Sequence, residues 1–221
     1  FRLAAAGRVQ GVVSAPMNKE AFHLAGYDYP DEMAYMTDLT ASPDTYTLGV
    51  MGRVWTTRLA EHVPFRAIAD LITRDSVLRH TRQLHAALRK VGQGAPRIAV
   101  AALNVHGGEG GLFGREEIEQ IAPGVAAARA EGIDASGPLP ADSVFARALA
   151  GEFDGVVGMY HDQVNIPSKL QPMGERATVF MGLPVPCGTT AHGSAFDIAG
   201  RGIADPSVLH AALDCTIRLS S

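Results

Sequence analysis

Arg97-Ile98-Ala99-Val100-Ala101-Ala102-Leu103, bounded in front by Pro96, constrains this chain more than any other stretch. A short, nearly unbroken apolar run of this kind predicts a strand buried in a sheet. It ends in Asn104-Val105-His106. Phe153-Asp154-Gly155-Val156-Val157-Gly158 is a second such run, and it leads into Met159-Tyr160-His161-Asp162-Gln163. Helical stretches lie between the predicted strands, so the expected fold class is α/β. Ligands of open α/β sheets bind in the crevice beyond the carboxyl ends of the strands. A histidine, an acid and an amide at such an end suit a site better than a core.

The rest of the chain reads around these two strands. Residues 1–6 resemble the tail of a helix already under way, with no initiator Met, and an N-terminal part is expected to be missing. Val12-Val13-Ser14-Ala15 reads as a short strand, and Asn18 and Lys19 at its end are candidate contacts for an anionic substrate or a solvated first turn. Asp31 is the expected cap of a helix carrying Glu32. Strands are expected over residues 45–51 and 54–59, and a helix over 76–91. In that helix Val77, Leu78, Thr81, Leu84, Leu88 and Val91 share one face, which leaves His80 and His85 on the surface. His62, near Pro64, finds no partner in the sequence.

Five glycines within residues 107–114 allow close backbone approach to a ligand or a strained turn. The spacing matches neither the phosphate-cradling loop nor the GxGxxG dinucleotide fingerprint. A helix is expected from residue 115 to about 130. Residues 137–142 read as a rigid loop whose Asp142 caps the helix that follows. Lys169 comes one short loop after His161. A strand is expected over 177–181, a loop over 182–193 and a last helix over 207–219.

The formal charge of −4 gives no basic footprint for nucleic acid or an anionic membrane. Two cysteines, Cys187 and Cys215, make no disulfide framework, so a reducing, cytoplasmic setting is the default. No apolar run reaches the length of a membrane span, and no signal peptide is visible. Two strand-end histidines, each near an acid or amide, are the minimum for a divalent metal site. Such sites use three protein ligands and keep a position open for water or substrate. The candidate ligands here are scattered and match no compact ligand motif.

Leu103-Asn104-Val105-His106-Gly107-Gly108-Glu109-Gly110-Gly111, Gly137-Pro138-Leu139-Pro140-Ala141-Asp142 and Met159-Tyr160-His161-Asp162-Gln163 occur in that order. Together they resemble the 4-hydroxythreonine-4-phosphate dehydrogenase family of pyridoxine biosynthesis, from about Val12 to the last helix. The segment His192-Gly193-Ser194-Ala195-Phe196-Asp197-Ile198-Ala199-Gly200 is similar to the cofactor loop of the isopropylmalate and isocitrate dehydrogenases. The resemblance implies an α/β/α fold of two domains, dimerising with the active site in a cleft near the interface. Residues 1–205 would form the second domain, with the metal site and NAD loop. Residues 206–221 would be a helix returning to a first domain that is mostly absent.

It also implies a chemistry. NAD(P) and a divalent metal (Zn, Mn, Mg, Co or Fe) would oxidise a secondary alcohol beta to a carboxylate, and the keto acid would lose carbon dioxide. Three histidines hold the family's metal, and two of them match His106 and His161. Where the family has Gly-His-Thr-Glu this sequence has Asp31-Glu32-Met33-Ala34, so Glu32 is the expected third ligand. Lys169 matches the family's substrate-contacting lysine and could also donate or accept a proton, Asp142 matches an active-site position, and Asp162 is a further catalytic candidate. His192, Gly193, Ser194, Ala195 and Asp197 match the cofactor loop. Asn18 and Lys19 are substrate-side candidates, and so are Thr178 and Cys187, which replace a family asparagine and arginine. Those replacements favour a changed substrate, a cis-dihydrodiol of an aromatic dicarboxylate of the terephthalate type. The alternatives are 4-hydroxythreonine 4-phosphate or a related phosphorylated sugar acid, a catalytically inactive binding homologue, and a metal-dependent lyase without redox chemistry.

Overall fold

A computed structural model gives the fold and describes residues 1–190 and 192–221. The described strands are β1 (Val12–Ser14), β2 (Tyr46–Met51), β3 (Val54–Ala60), β4 (Ile98–Ala101), β5 (Ala135–Leu139), β6 (Gly155–Tyr160), β7 (Arg176–Met181) and β8 (Cys187–Thr189). The helices are α1 (Arg2–Ala5), α2 (Lys19–Leu24), α3 (Glu32–Thr40), α4 (Ile68–Leu71), α5 (Arg74–Lys90), α6 (Ala122–Ala130), α7 (Ala141–Leu149), α8 (His161–Lys169) and α9 (Ser207–Ser220). The α/β class expected from the sequence is the class observed. The chain divides into two compact units, Phe1–Gly49 with Pro172–Ser221, and Val50–Gln171. β2 carries the chain from one unit into the other.

In the unit Val50–Gln171 the strand order is β3-β6-β4-β5, and all three pairings are parallel. The side chains of β6 sort by parity. Gly155 leaves room for Leu84 and Leu88 of α5, whereas Val156 packs with Val144, Phe145 and Ala148 of α7 and Val164 of α8. Both faces of the sheet are thus covered by helices, which is why Ile98, Ala99, Val100 and Ala101 are all buried. Thr73 caps α5, its side chain accepting from Ser76 N–H while the Ser76 hydroxyl accepts from Thr73 N–H. Val77, Leu78, Thr81, Leu84 and Leu88 are buried as their spacing predicts.

In the other unit β8 pairs parallel with β1 and antiparallel with β7. Helix α9 lies across these strands with Val208, Ala212, Cys215, Thr216 and Leu219 buried. The contact is close because Gly188 has no side chain. A Cβ there would stand 2.3 Å from Thr216 Oγ1 and 2.8 Å from the Ala212 carbonyl oxygen.

Several local expectations are corrected. The sequence predicts a loop over residues 137–142, yet β5 reaches Leu139, because Pro138 sits on the end strand of its unit, where a missing N–H is tolerated. Helix α7 then starts at Ala141 with Pro140 as its cap, so Asp142 lies in the first turn and caps nothing. The stretch after β6 is helix α8 rather than a loop. The helix expected over 115–130 opens with a π-helical turn, Glu117–Ile121, before α6. Strand β8 lies inside the loop expected over 182–193. His80 is buried and not on the surface, because α5 packs against α6 as well as the sheet. Among the described residues no helix is long and apolar enough to cross a membrane.

Candidate active site

The four parallel strands of the unit Val50–Gln171 all end on the same edge of its sheet, and each delivers a polar side chain there. His62 follows β3, His161 follows β6, His106 follows β4, and Asp142 follows β5. Ala60 and Tyr160 are register partners, so the residues just past them emerge side by side. The rings of His62 and His161 accordingly stand 5.9 Å apart between centroids. His62, for which the sequence offers no partner, is thus brought beside His161. Only its place after a strand end could have marked it, and β3 is a strand of mixed polarity, VWTTRLA.

The two expected metal histidines share a further feature. His161 Nδ1 lies 2.7 Å from Asp162 Oδ1, and His106 Nδ1 lies 3.3 Å from Glu109 Oε1. A carboxylate only accepts, so the proton of a neutral His161 sits on Nδ1 and the Nε2 lone pair is left for another partner. An imidazole held by a carboxylate through one nitrogen is the usual form of a metal-binding histidine. Gln163 fastens the strand ends beneath these groups. Its Oε1 accepts from Met159 N–H and its Nε2 donates to the Ala102 carbonyl, both at 2.9 Å.

His106 stands in an unusual loop. Residues His106, Gly107, Gly108, Glu109 and Gly110 all have positive φ, between 45° and 78°. Three are glycines, for which this region is open. His106 and Glu109 are not, and their backbones carry strain of the kind concentrated at functional sites. The base of the loop rests on Glu117, a buried carboxylate that accepts from Leu103 N–H at 2.8 Å and Asn104 N–H at 2.7 Å. The Asn104 side chain donates to Glu117 at 2.9 Å and to Glu116 at 2.7 Å. Glu116 is held below the ordinary carboxylate range by its own N–H and by the Asn104 amide.

Asp142 and Asp162 line one cavity of about 410 Å³ between α7 and α8, with Tyr160 and Gln163 on its wall. Lys169 is exposed at the far end of α8, eight residues or roughly 12 Å of helical rise from His161. The helix does not bring the two together.

The remaining candidates belong to the other unit. Glu32, at the start of α3, accepts from the Thr189 hydroxyl at 3.3 Å. Thr178 is the register partner of Thr189. Asn18 caps α2 by accepting from Ala21 N–H at 2.8 Å, and Lys19 is the exposed first residue of that helix. Cys187 is fully buried in β8, and burial together with the nearby Glu32 charge pushes its thiol up to about 12. His192, Gly193, Ala195 and Asp197 are exposed and Ser194 half-buried, with Ala195 in the left-handed region at φ 47°. Among the described residues no three His, Cys, Asp or Glu side chains stand together as a ready metal cage.

The family described as "Pyridoxal phosphate biosynthetic protein PdxA" matches residues 1–216. The chain belongs to the PdxA family. It is 43% identical over 220 residues to a 4-hydroxythreonine-4-phosphate dehydrogenase of Beijerinckia indica, an alignment covering 98% of this chain and 64% of that protein. It is 39% identical to a D-threonate 4-phosphate dehydrogenase of Pectobacterium atrosepticum, covering 99% and 67%. The chain thus spans about two thirds of the length of these PdxA relatives. Among solved structures, a 4-hydroxythreonine-4-phosphate dehydrogenase from Klebsiella pneumoniae superposes with a TM-score of 0.84 at 38% identity, covering 100% of this chain and 67% of that one. An isocitrate dehydrogenase from Methylococcus capsulatus, at 15% identity, TM-score 0.57 and 94% and 67% coverage, shares the fold.

These likenesses overturn the expected dihydrodiol substrate. A terephthalate 1,2-cis-dihydrodiol dehydrogenase from Burkholderia xenovorans is the more distant neighbour, 32% identical with a TM-score of 0.72 over 99% of this chain and 68% of that one. The expectation rested partly on Cys187 as a sign of a rebuilt pocket. Its side chain is instead part of a strand interior, so that replacement does not announce an aromatic substrate.

Proposed function

We propose that the full-length protein is a divalent-metal-dependent NAD(P) dehydrogenase of a phosphorylated four-carbon hydroxy acid, 4-hydroxythreonine 4-phosphate or D-threonate 4-phosphate. It oxidises the secondary hydroxyl beta to the carboxylate, and the keto acid loses carbon dioxide. Family membership supports the reaction class. The observation that carries the reading is the common sheet edge, to which four strand ends bring His62, His161, His106 and Asp142.

The donor chemistry fits a metal. Drawn together on an ion, His161, His106 and His62 would form an all-imidazole set, which suits zinc, iron or cobalt better than magnesium. His62, whose ring stands 5.9 Å from that of His161, is the third ligand we favour over Glu32. When bound, the ion polarises the reacting oxygen and the nicotinamide accepts the hydride. Asp162 fixes the His161 tautomer. Asp142, on the same sheet edge, suits proton transfer at the reacting end of the substrate. Lys169, about 12 Å along α8, suits the far, phosphorylated end. Asn18, Lys19 and Thr178 are the substrate-side groups of the other unit, and the exposed loop with His192, Gly193, Ser194, Ala195 and Asp197 is the cofactor contact. The resemblance also supports a homodimer.

The test is NADH formation by the full-length protein with Zn²⁺, Co²⁺ or Mg²⁺, offered each phosphorylated acid and, separately, a cis-dihydrodiol dicarboxylate. Turnover of a phosphorylated acid alone is expected. Turnover of the diol alone sinks the proposal, as does silence from a preparation that binds both metal and NAD.

A further inference from the structure

We infer that Glu117 is the positioning residue of the His106 loop, its buried carboxylate setting where β4 hands the chain to that histidine. The functional half of this inference rests on reading His106 as a metal ligand. Glu117 is 2% exposed, and a carboxylate so placed is costly unless donors surround it. It has three. One oxygen accepts both Leu103 N–H and Asn104 N–H, and the other accepts the Asn104 amide. Such charge-assisted bonds are about twice as strong as neutral ones and fix direction as well as distance.

The loop is shaped around this group. A Cβ at Gly108 would stand 2.8 Å from Glu117 Oε2, and one at Gly114 would stand 2.4 Å from Asn104 Nδ2. Glycine at both positions lets the backbone close over the carboxylate. The π-helical turn Glu117–Ile121 begins with this residue, and such turns are frequent at functional sites. The left-handed run from His106 to Gly110 starts two residues beyond Asn104. A strained run persists only where its ends are over-determined, and Glu117 supplies the anchor at one end.

The experiment uses Glu117→Gln in the full-length protein. The replacement keeps the size and one acceptor oxygen but turns an NH₂ towards the Asn104 NH₂. We expect Co²⁺ affinity, by calorimetry, to fall about tenfold, as for loss of an outer-shell partner. Amide hydrogen exchange of the metal-free protein should rise at residues 103–110 and stay unchanged in β3 and β6. Added to His106→Ala, Glu117→Gln should cost little further affinity, because both act through one imidazole. Asn104→Ala, which removes one donor and leaves the carboxylate, should shift both readouts the same way by about threefold and serves if Glu117→Gln fails to fold. A purely structural residue would raise exchange throughout the unit and add its loss to that of His106→Ala, and either result overturns the inference. So does unchanged exchange at 103–110. If the wild-type protein binds no Co²⁺, the metal reading fails separately, and the metal-free exchange data still decide whether Glu117 holds the loop.

Discussion

Gln163→Leu tests whether the strand ends under the site are tied by one side chain. Gln163 satisfies two buried backbone groups on different strands, Met159 N–H at the end of β6 and the Ala102 carbonyl just past β4. Leucine matches its bulk and offers neither partner. Orphaning a buried backbone group costs about 1–3 kcal/mol, so the two together cost about 2–6 kcal/mol. Gln163 is only half-buried, and water entering from the rim brings the expected loss to about 2–3 kcal/mol. Urea unfolding reads this as a lower midpoint at unchanged slope. A loss under about 0.5 kcal/mol refutes the reasoning. Gln163→Glu sharpens the test. Its carboxylate accepts from Met159 N–H but faces the Ala102 carbonyl with no donor, which raises its folded pKa above the unfolded value. The folded variant then binds more protons than the unfolded one, so its deficit against wild type shrinks as pH falls through the folded pKa. A deficit that grows on acidification contradicts the bonding scheme.

Three further outcomes follow from the same geometry. His62→Ala should lower Co²⁺ affinity by at least the ~10–100-fold that loss of an outer-shell partner costs, and Glu32→Gln by less than about twofold; calorimetry giving the reverse order restores Glu32 as the ligand. Burial pushes the His80 imidazole below its ordinary pKa, against the pull of its Nδ1–H bond to the Ser76 carbonyl. Its unfolded form therefore gains a proton first, and stability should fall as pH drops below about 6.5, a slope that His80→Gln should flatten in a pH series of urea midpoints. Gly188→Ala should push α9 off β8, since its Cβ would meet Thr216 and the Ala212 backbone, at a cost of about 1–3 kcal/mol by the same assay. A stability loss below 0.5 kcal/mol would mean that α9 is not seated where the structure places it.

What the sequence disclosed and what it hid divide along physical lines. β4 and β6 were legible because both sheet faces bury them, which leaves short apolar runs with a histidine at or just beyond each end. α5 was legible because a 3.6-residue period needs no knowledge of its partner. His80 was misjudged for the same reason, since periodicity reports one buried face and α5 is covered on two. β5 was hidden by Gly137 and Pro138, since glycine weakens a strand and proline is tolerated only on an edge strand. β3 buries Thr56, Thr57 and Arg58, so its end, and with it His62, carried no apolar signal. Glu117 and Gln163 act on backbone atoms 13 and 61 residues away, a relation with no local period. The substrate was misjudged at Cys187 by a similar gap. A departure from a family pattern names the atom that changed, but only burial says whether that atom faces a ligand. Asn104, Gly108 and Gly114 show the converse. Each looks like ordinary turn chemistry in the sequence, and together they close the chain over a carboxylate that aims His106. If Glu117→Gln leaves the His106 loop as ordered as before, that closure is packing alone, and His106 is positioned by its own strained backbone.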